Sequence, residues 1–288
     1  MSPLLALLCL SPELARLYDY DRSAPLDMRQ HGVETRDGIV VRDITYASPR
    51  GGRVPAYLVR PPGSGPFAAI VILHGGGENR STFLPEALAL ARLGAVCLTF
   101  DALGRKDRAP SGKDPVEDGR DDLLQAAVDA RRAADLLRII PGVDHRPVGY
   151  IGHSFGAMLG ANLAAVDKRF GAMVLITGVI GFTHHAATSP APFWVKWRQD
   201  ISQEKQKRYQ EVMAPLDARH YLPSSAPTKL LFQASRRDAG VPEQDSLDFA
   251  AAAQQPKELR WYDDDHALRT PAAVRDRVEW LRQALKLR

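Results

Sequence analysis

The stretch Val148-Gly149-Tyr150-Ile151-Gly152-His153-Ser154-Phe155-Gly156 decides how the rest of the chain is read. Val148 to Ile151 is a short apolar run of the kind that forms a strand buried on both faces. Phe155 to Val166 then reads as an apolar helix. Between them Gly152 to Gly156 has the form G-x-S-x-G, placed in a strand-to-helix turn. Such a turn strains the serine backbone and projects its hydroxyl from the carboxyl edge of the sheet. The residues two before and two after the serine must be small to clear neighbouring backbone, and both are glycine. The helix that follows directs its positive end at the serine, so Ser154 is read as a nucleophile.

A nucleophilic serine attacking a carbonyl needs N–H donors for the oxyanion that forms. One is the amide after the serine, that of Phe155. The other is sought in His74-Gly75-Gly76-Gly77, at the end of the apolar run Ala69 to Leu73. There glycine lets backbone approach a ligand closely. Gly76 is the chosen donor, with Gly77 the alternative and a substrate contact. His74 lies too close to this turn to act as base and is read as structural.

The serine also needs a base, and the base a carboxylate to orient it. With an elbow of this kind the partners follow in the order serine, acid, histidine. Of the eight histidines, only His266 follows the last strand pattern, in Asp263-Asp264-Asp265-His266. His153 is expected to point away from the chemistry. His184, His185 and His220 precede the acid and could at most touch substrate, and His31 and His145 read as surface residues. For the acid, Asp238 follows the run Lys229 to Gln233, where a carboxylate would face a histidine presented by the next strand. Asp263 to Asp265 are rivals read as a solvated loop, and Asp101, after Ala95 to Phe100, is the fallback.

The remaining pattern supports this placement. Eight runs read as strands, beginning with Ile39 to Tyr46 and Arg53 to Arg60, a hairpin about Ser48-Pro49-Arg50-Gly51-Gly52. Ala172 to Thr177 and Glu258 to Tyr262 complete the set. Helical patterns alternate with the later strands: Pro85 to Leu93, Asp118 to Ile140, Phe155 to Val166, Glu243 to Ala253 and Pro271 to Leu287. This predicts an α/β fold with a mostly parallel eight-stranded sheet and helices on both faces. Residues 1–34 are expected to form an N-terminal helical extension, with a short helix capped by Ser11 and Pro12, and 35–288 the main domain. The segment 181–223 carries no strand pattern and reads as a cap over the site. Its aromatics Phe182, Trp194 and Trp197 are expected to shape a substrate pocket.

Composition narrows the function classes. The chain has 288 residues, 45% hydrophobic and 25% charged, with a net charge of +4 spread along its length. No basic run with interleaved aromatics suggests a nucleic-acid partner. Pro3 to Leu10 is too short to span a bilayer and lacks the flanks of a signal peptide. With only Cys9 and Cys97, no disulfide framework is suggested, and a cytoplasmic location is expected. Neither a metal-ligand spacing nor a phosphate- or dinucleotide-binding glycine fingerprint is present, so no metal and no cofactor is expected.

Taken together, His74-Gly75-Gly76, Gly152 to Gly156, the Asp238 loop with Val241-Pro242 and the stretch Tyr262 to His266 resemble the α/β-hydrolase superfamily. Within it they are similar to the dienelactone-hydrolase-like esterases, over roughly residues 35 to 285. That resemblance implies an α/β-hydrolase fold, a cofactor-free reaction and a small-molecule ester as substrate. One departure matters: dienelactone hydrolases use a cysteine nucleophile, and Ser154 stands here, which favours a general carboxylesterase. A peptidase, amidase or thioesterase with the same triad, or a non-enzymatic binding module of the same fold, are the alternatives.

Overall fold

The structure is a computed structural model and describes residues 10–102, 114–144 and 147–288. Cys9, His145 and most of Pro3 to Leu10 lie outside these residues. The sheet has nine strands in the order β1-β2-β3-β5-β4-β6-β7-β8-β9, not the eight expected. The additional strand is β1 (Arg29–Arg36), paired antiparallel with β2 (Ile39–Ala47). Its sequence RQHGVETR carries no apolar alternation because it is an edge strand, with almost every residue exposed and charges that suit an unprotected edge. Residues 29–34 thus belong to the sheet rather than to a helical extension. The short helix α1 (Pro12–Arg16) is present, with the Ser11 side chain accepting from the Glu13 N–H.

β2 and β3 (Arg53–Arg60) form the expected hairpin, and β3 runs antiparallel to β5 (Ala95–Phe100). From there the sheet is parallel through β4 (Ala68–Leu73), β6 (Val148–His153), β7 (Phe170–Ile176), β8 (Lys229–Ser235) and β9 (Lys257–Tyr262). Every residue of β4, β5 and β6 is buried, which explains why these strands read as continuous apolar runs.

Two apolar clusters cover the faces. One packs α3 (Pro115–Arg138), α4 (Phe155–Val166) and α8 (Glu243–Ala252) on the sheet. The other packs α2 (Leu84–Arg92) and α9 (Pro271–Ala284) on the opposite side. α3 starts three residues before its apolar pattern does, because Asp114 accepts from the Val116 N–H and Pro115 opens the helix. α2 and α9 are joined by Arg277, fully buried, whose guanidinium forks onto Glu86 at 2.5 and 2.8 Å. Among the described residues no helix is long and apolar enough to cross a membrane.

The segment 181–223 joins β7 to β8 as α5 (Phe182–Thr188), α6 (Pro192–Asp200), α7 (Gln203–Met213) and three short 3-10 turns. Buried Asp217 fixes its start, accepting from the Thr183 N–H at 3.1 Å. A Cβ on Gly181 would meet the Asp217 carboxylate at 2.4 Å, so this approach requires glycine.

Candidate active site

The chain switches from β6 to α4 through Ser154, whose φ of 54° and ψ of −117° no ordinary turn would demand. A non-glycine residue there costs roughly 1–3 kcal/mol and is typical of functional turns. The surroundings hold it. The Ser154 N–H donates to the Ile176 carbonyl at 2.9 Å, and its own carbonyl accepts from Ala157 and Met158. A Cβ on Gly156 would lie 2.6 Å from the Leu73 oxygen and 2.8 Å from that of His74. One on Gly152 would lie 2.3 Å from the Gly156 oxygen. The two small positions of the motif are therefore places where the elbow touches its neighbours' backbone.

Three further loops leave the same edge of the sheet. After β8, Asp238 is buried, with its side chain 1% exposed. Its Oδ1 accepts the N–H groups of Gly240 and Val241 at 2.8 and 3.0 Å, which leaves Oδ2 aimed at His266. After β9, His266 Nδ1 lies 2.6 Å from that Oδ2, and Nε2 lies 3.1 Å from Ser154 Oγ. A carboxylate only accepts, so Nδ1 carries the proton and Nε2 offers its lone pair to the serine hydroxyl. The structure thus brings Ser154, His266 and Asp238 into one hydrogen-bonded chain.

The rival acids are engaged elsewhere. Asp101 accepts from the Arg80 N–H at 2.7 Å. Asp263 pairs with Arg237, Asp264 accepts from Asp265 and Thr270 N–H, and Asp265 accepts from Ala267 N–H. The acidic run shapes its own loop. His74 is buried, its Nδ1 donating to the Gly75 carbonyl and its Nε2 accepting the Ala102 N–H, which suits the structural reading.

After β4, Gly75 to Glu78 forms a turn closed by the Glu78 N–H on the Gly75 carbonyl, with Gly77 at φ +74°. The N–H groups of Gly76 and Phe155 find no acceptor among the described residues. Gly76 lines a cleft of ≈ 540 Å³, together with His266, Asp238, His185 and, from α6, Phe193 and Trp194. Gly77, Phe182 and Trp197 do not line it. Phe182 is buried in the core, and Trp197 packs edge-on against Trp194 and Tyr209. Of Phe182, Trp194 and Trp197, Trp194 alone is in place; Phe193, from the same aromatic segment, joins it at the rim, 68% exposed.

Of the histidines read as at most substrate contacts, His185 lines the cleft; Glu78 and the contacts of His153 were unanticipated. His185 stands edge-on to Trp194 at 5.7 Å, and burial holds its imidazole down to about 4. His153 does point away from Ser154, but its ring bonds both the Glu78 carboxylate and the backbone carbonyl of His266. Among the described residues no group of three or more His, Cys, Asp or Glu side chains could hold a metal ion.

A serine elbow at the carboxyl edge of an open, mostly parallel sheet, with an acid after one later strand and a histidine after the next, defines an α/β hydrolase. Residues 70–286 match the Alpha/beta hydrolase family, and the chain belongs to it. A comparison with curated proteins returns no match. Among solved structures, an acetyl xylan esterase from Paenibacillus sp. R4 superposes with a TM-score of 0.75 at 19% identity, covering 96% of this chain and 99% of the other. Acetyl xylan esterase 1 from Thermoanaerobacterium sp. JW/SL YS485 gives 0.76 at 17% identity, covering 98% and 99%. A cold-adapted esterase from an Arctic intertidal metagenomic library gives 0.63 at 20% identity, covering 89% and 99%. At such identities the likeness is one of fold.

Proposed function

We propose that the protein is a serine hydrolase that cleaves carboxylic esters of small molecules through an acyl-enzyme. The observation that carries this reading is the position of His266 between Ser154 Oγ at 3.1 Å and Asp238 Oδ2 at 2.6 Å, beneath an open cleft. The three similar structures described above are esterases, which supports it.

In the first half of the reaction the Ser154 hydroxyl proton passes to His266 Nε2 as Oγ bonds the ester carbonyl carbon. The oxyanion formed is held by the N–H groups of Phe155 and Gly76, which have no acceptor among the described residues to give up. His266 returns the proton to the alcohol oxygen as the C–O bond breaks. In the second half a water molecule gives its proton to His266 and attacks the acyl-serine; the acid leaves and Ser154 regains its proton. Asp238 holds the imidazole in the required tautomer and stabilises its charged form. The scheme draws on no metal and no cofactor, and Trp194 and Phe193 would contact the acyl or alcohol group.

The test is hydrolysis of 4-nitrophenyl acetate by the wild type and by Ser154→Ala. The reading requires activity in the first and its loss in the second.

A further inference from the structure

Glu78 is the meeting point of three loops. Its Oε2 accepts the Gly75 N–H at 2.6 Å and faces His153 Nδ1 at 2.8 Å, and its Oε1 accepts from Arg269 Nη2 at 2.5 Å. Burial opposes ionisation of this carboxyl, but the His153 hydrogen bond and charge, the Gly75 N–H and Arg269 outweigh it and hold the group down to about 2. The other ring nitrogen of His153, Nε2, lies 3.0 Å from the His266 carbonyl oxygen. A carbonyl only accepts, and so does an ionised carboxylate, so both bonds are made only when both ring nitrogens carry protons. The His266 carbonyl takes a second bond from Thr177 Oγ1 at 2.9 Å.

From this arrangement we infer that Glu78 and His153 are positioning residues for the proposed reaction, a carboxylate–imidazolium strut that fixes the Gly75 N–H and the His266 carbonyl relative to each other. Through those two backbone groups it sets the oxyanion turn and the base loop against the elbow, since His153 is itself the residue before Ser154. Gly75 is part of the device: a Cβ there would lie 2.6 Å from His153 Nδ1. The strut is mostly buried in the wall of the cleft, with side chains 13% and 5% exposed and Phe83 against the imidazole. A buried ion pair contributes little net stability compared with an apolar pair of equal volume. Its worth is in where it places the groups it binds, and a displacement of about 1 Å at reacting atoms can cost roughly 10²-fold in rate.

This inference rests on the hydrolase reading, and the experiment separates the two. Hydrolysis of 4-nitrophenyl acetate is measured per site titrated with a fluorophosphonate, so that unfolded protein is not counted, alongside the thermal midpoint. Glu78→Gln leaves the imidazolium unpaired; it should lower both the midpoint and kcat, the latter roughly 10- to 100-fold, with KM nearly unchanged. The double variant Glu78→Leu with His153→Phe fills the same space without charge. It should recover the midpoint and not recover kcat. Recovery of kcat together with the midpoint would make the pair merely structural and overturn the inference, as would a wild-type kcat in Glu78→Gln. Should the double variant not fold, Glu78→Gln alone decides. Retained hydrolysis in Ser154→Ala would instead overturn the hydrolase reading, whatever Glu78 does.

Discussion

His266 Nε2 lies 3.1 Å from Ser154 Oγ across 112 positions of the chain, and the loops that bring them together leave β9 and β6 at the same edge of the sheet. The parallel register makes this possible: β6, β7, β8 and β9 lie side by side with their carboxyl ends together, so each following loop opens onto one cleft. The base loop is pinned from behind. Arg277 donates to the Leu268 carbonyl at 2.9 Å, and the Ser235 hydroxyl donates to that of Asp264.

Asp238→Asn keeps the shape of the acid but removes the charge that supports the imidazolium. Turnover is expected to fall by about 10⁴. Asp101→Asn should cost little in turnover, because Asp101 is bonded to Arg80 rather than to His266. Steady-state kinetics on both variants check the assignment, and the reverse ranking would move the acid to Asp101.

Trp194→Ala should change the order of preference among 4-nitrophenyl esters of increasing acyl length, since this ring lines the cleft. Trp197→Ala should leave that order intact and lower the thermal midpoint instead, because Trp197 packs behind, on Trp194 and Tyr209. The same ester series run on both variants distinguishes them.

Gly156→Ala should be severely destabilising or inactive. Its Cβ would sit 2.6 Å from one backbone oxygen and 2.8 Å from another, and backbone cannot swing aside as a long side chain can. Gly76→Ala meets nothing within 4 Å and should fold normally. Thermal melts of the two variants make the comparison.

The protein should lose stability as pH falls from about 6.5 toward 4, in part through His185. Burial holds its folded-state pKa down to about 4, against 6.5 for the free group. Between those values the unfolded chain binds a proton that the folded chain refuses, so stability rises with pH across that window. His185→Gln should flatten the slope of the thermal midpoint over this range, and an unchanged slope would remove His185 from the account.

What could be read beforehand follows from how locally each signal is encoded. β4, β5 and β6 announce themselves because burial on both faces forces continuous apolar runs, whereas β1 is polar and exposed and has nothing in its sequence to set it apart from a loop. The elbow is a five-residue motif whose backbone contacts dictate glycine at 152 and 156, and Asp238 and His266 follow from chain order relative to strands already placed. The segment 181–223 resists the same treatment. Whether Phe182, Trp194 or Trp197 reaches the cleft depends on how α5, α6 and α7 pack, and only Trp194 does. The Glu78–His153 contact spans 75 positions; the glycine run marks a tight turn there, but nothing marks its partner.

The most direct test of the central claim is covalent labelling by a fluorophosphonate, followed by mass spectrometry of the modified peptide and assay of the same samples for ester hydrolysis. The account predicts one adduct, on Ser154, with hydrolysis lost in step with labelling. Ser154→Ala should then take no label and lose turnover on the order of 10⁴ to 10⁶. An adduct on another serine, or an unlabelled protein that hydrolyses the ester at the wild-type rate after Ser154→Ala, would contradict it.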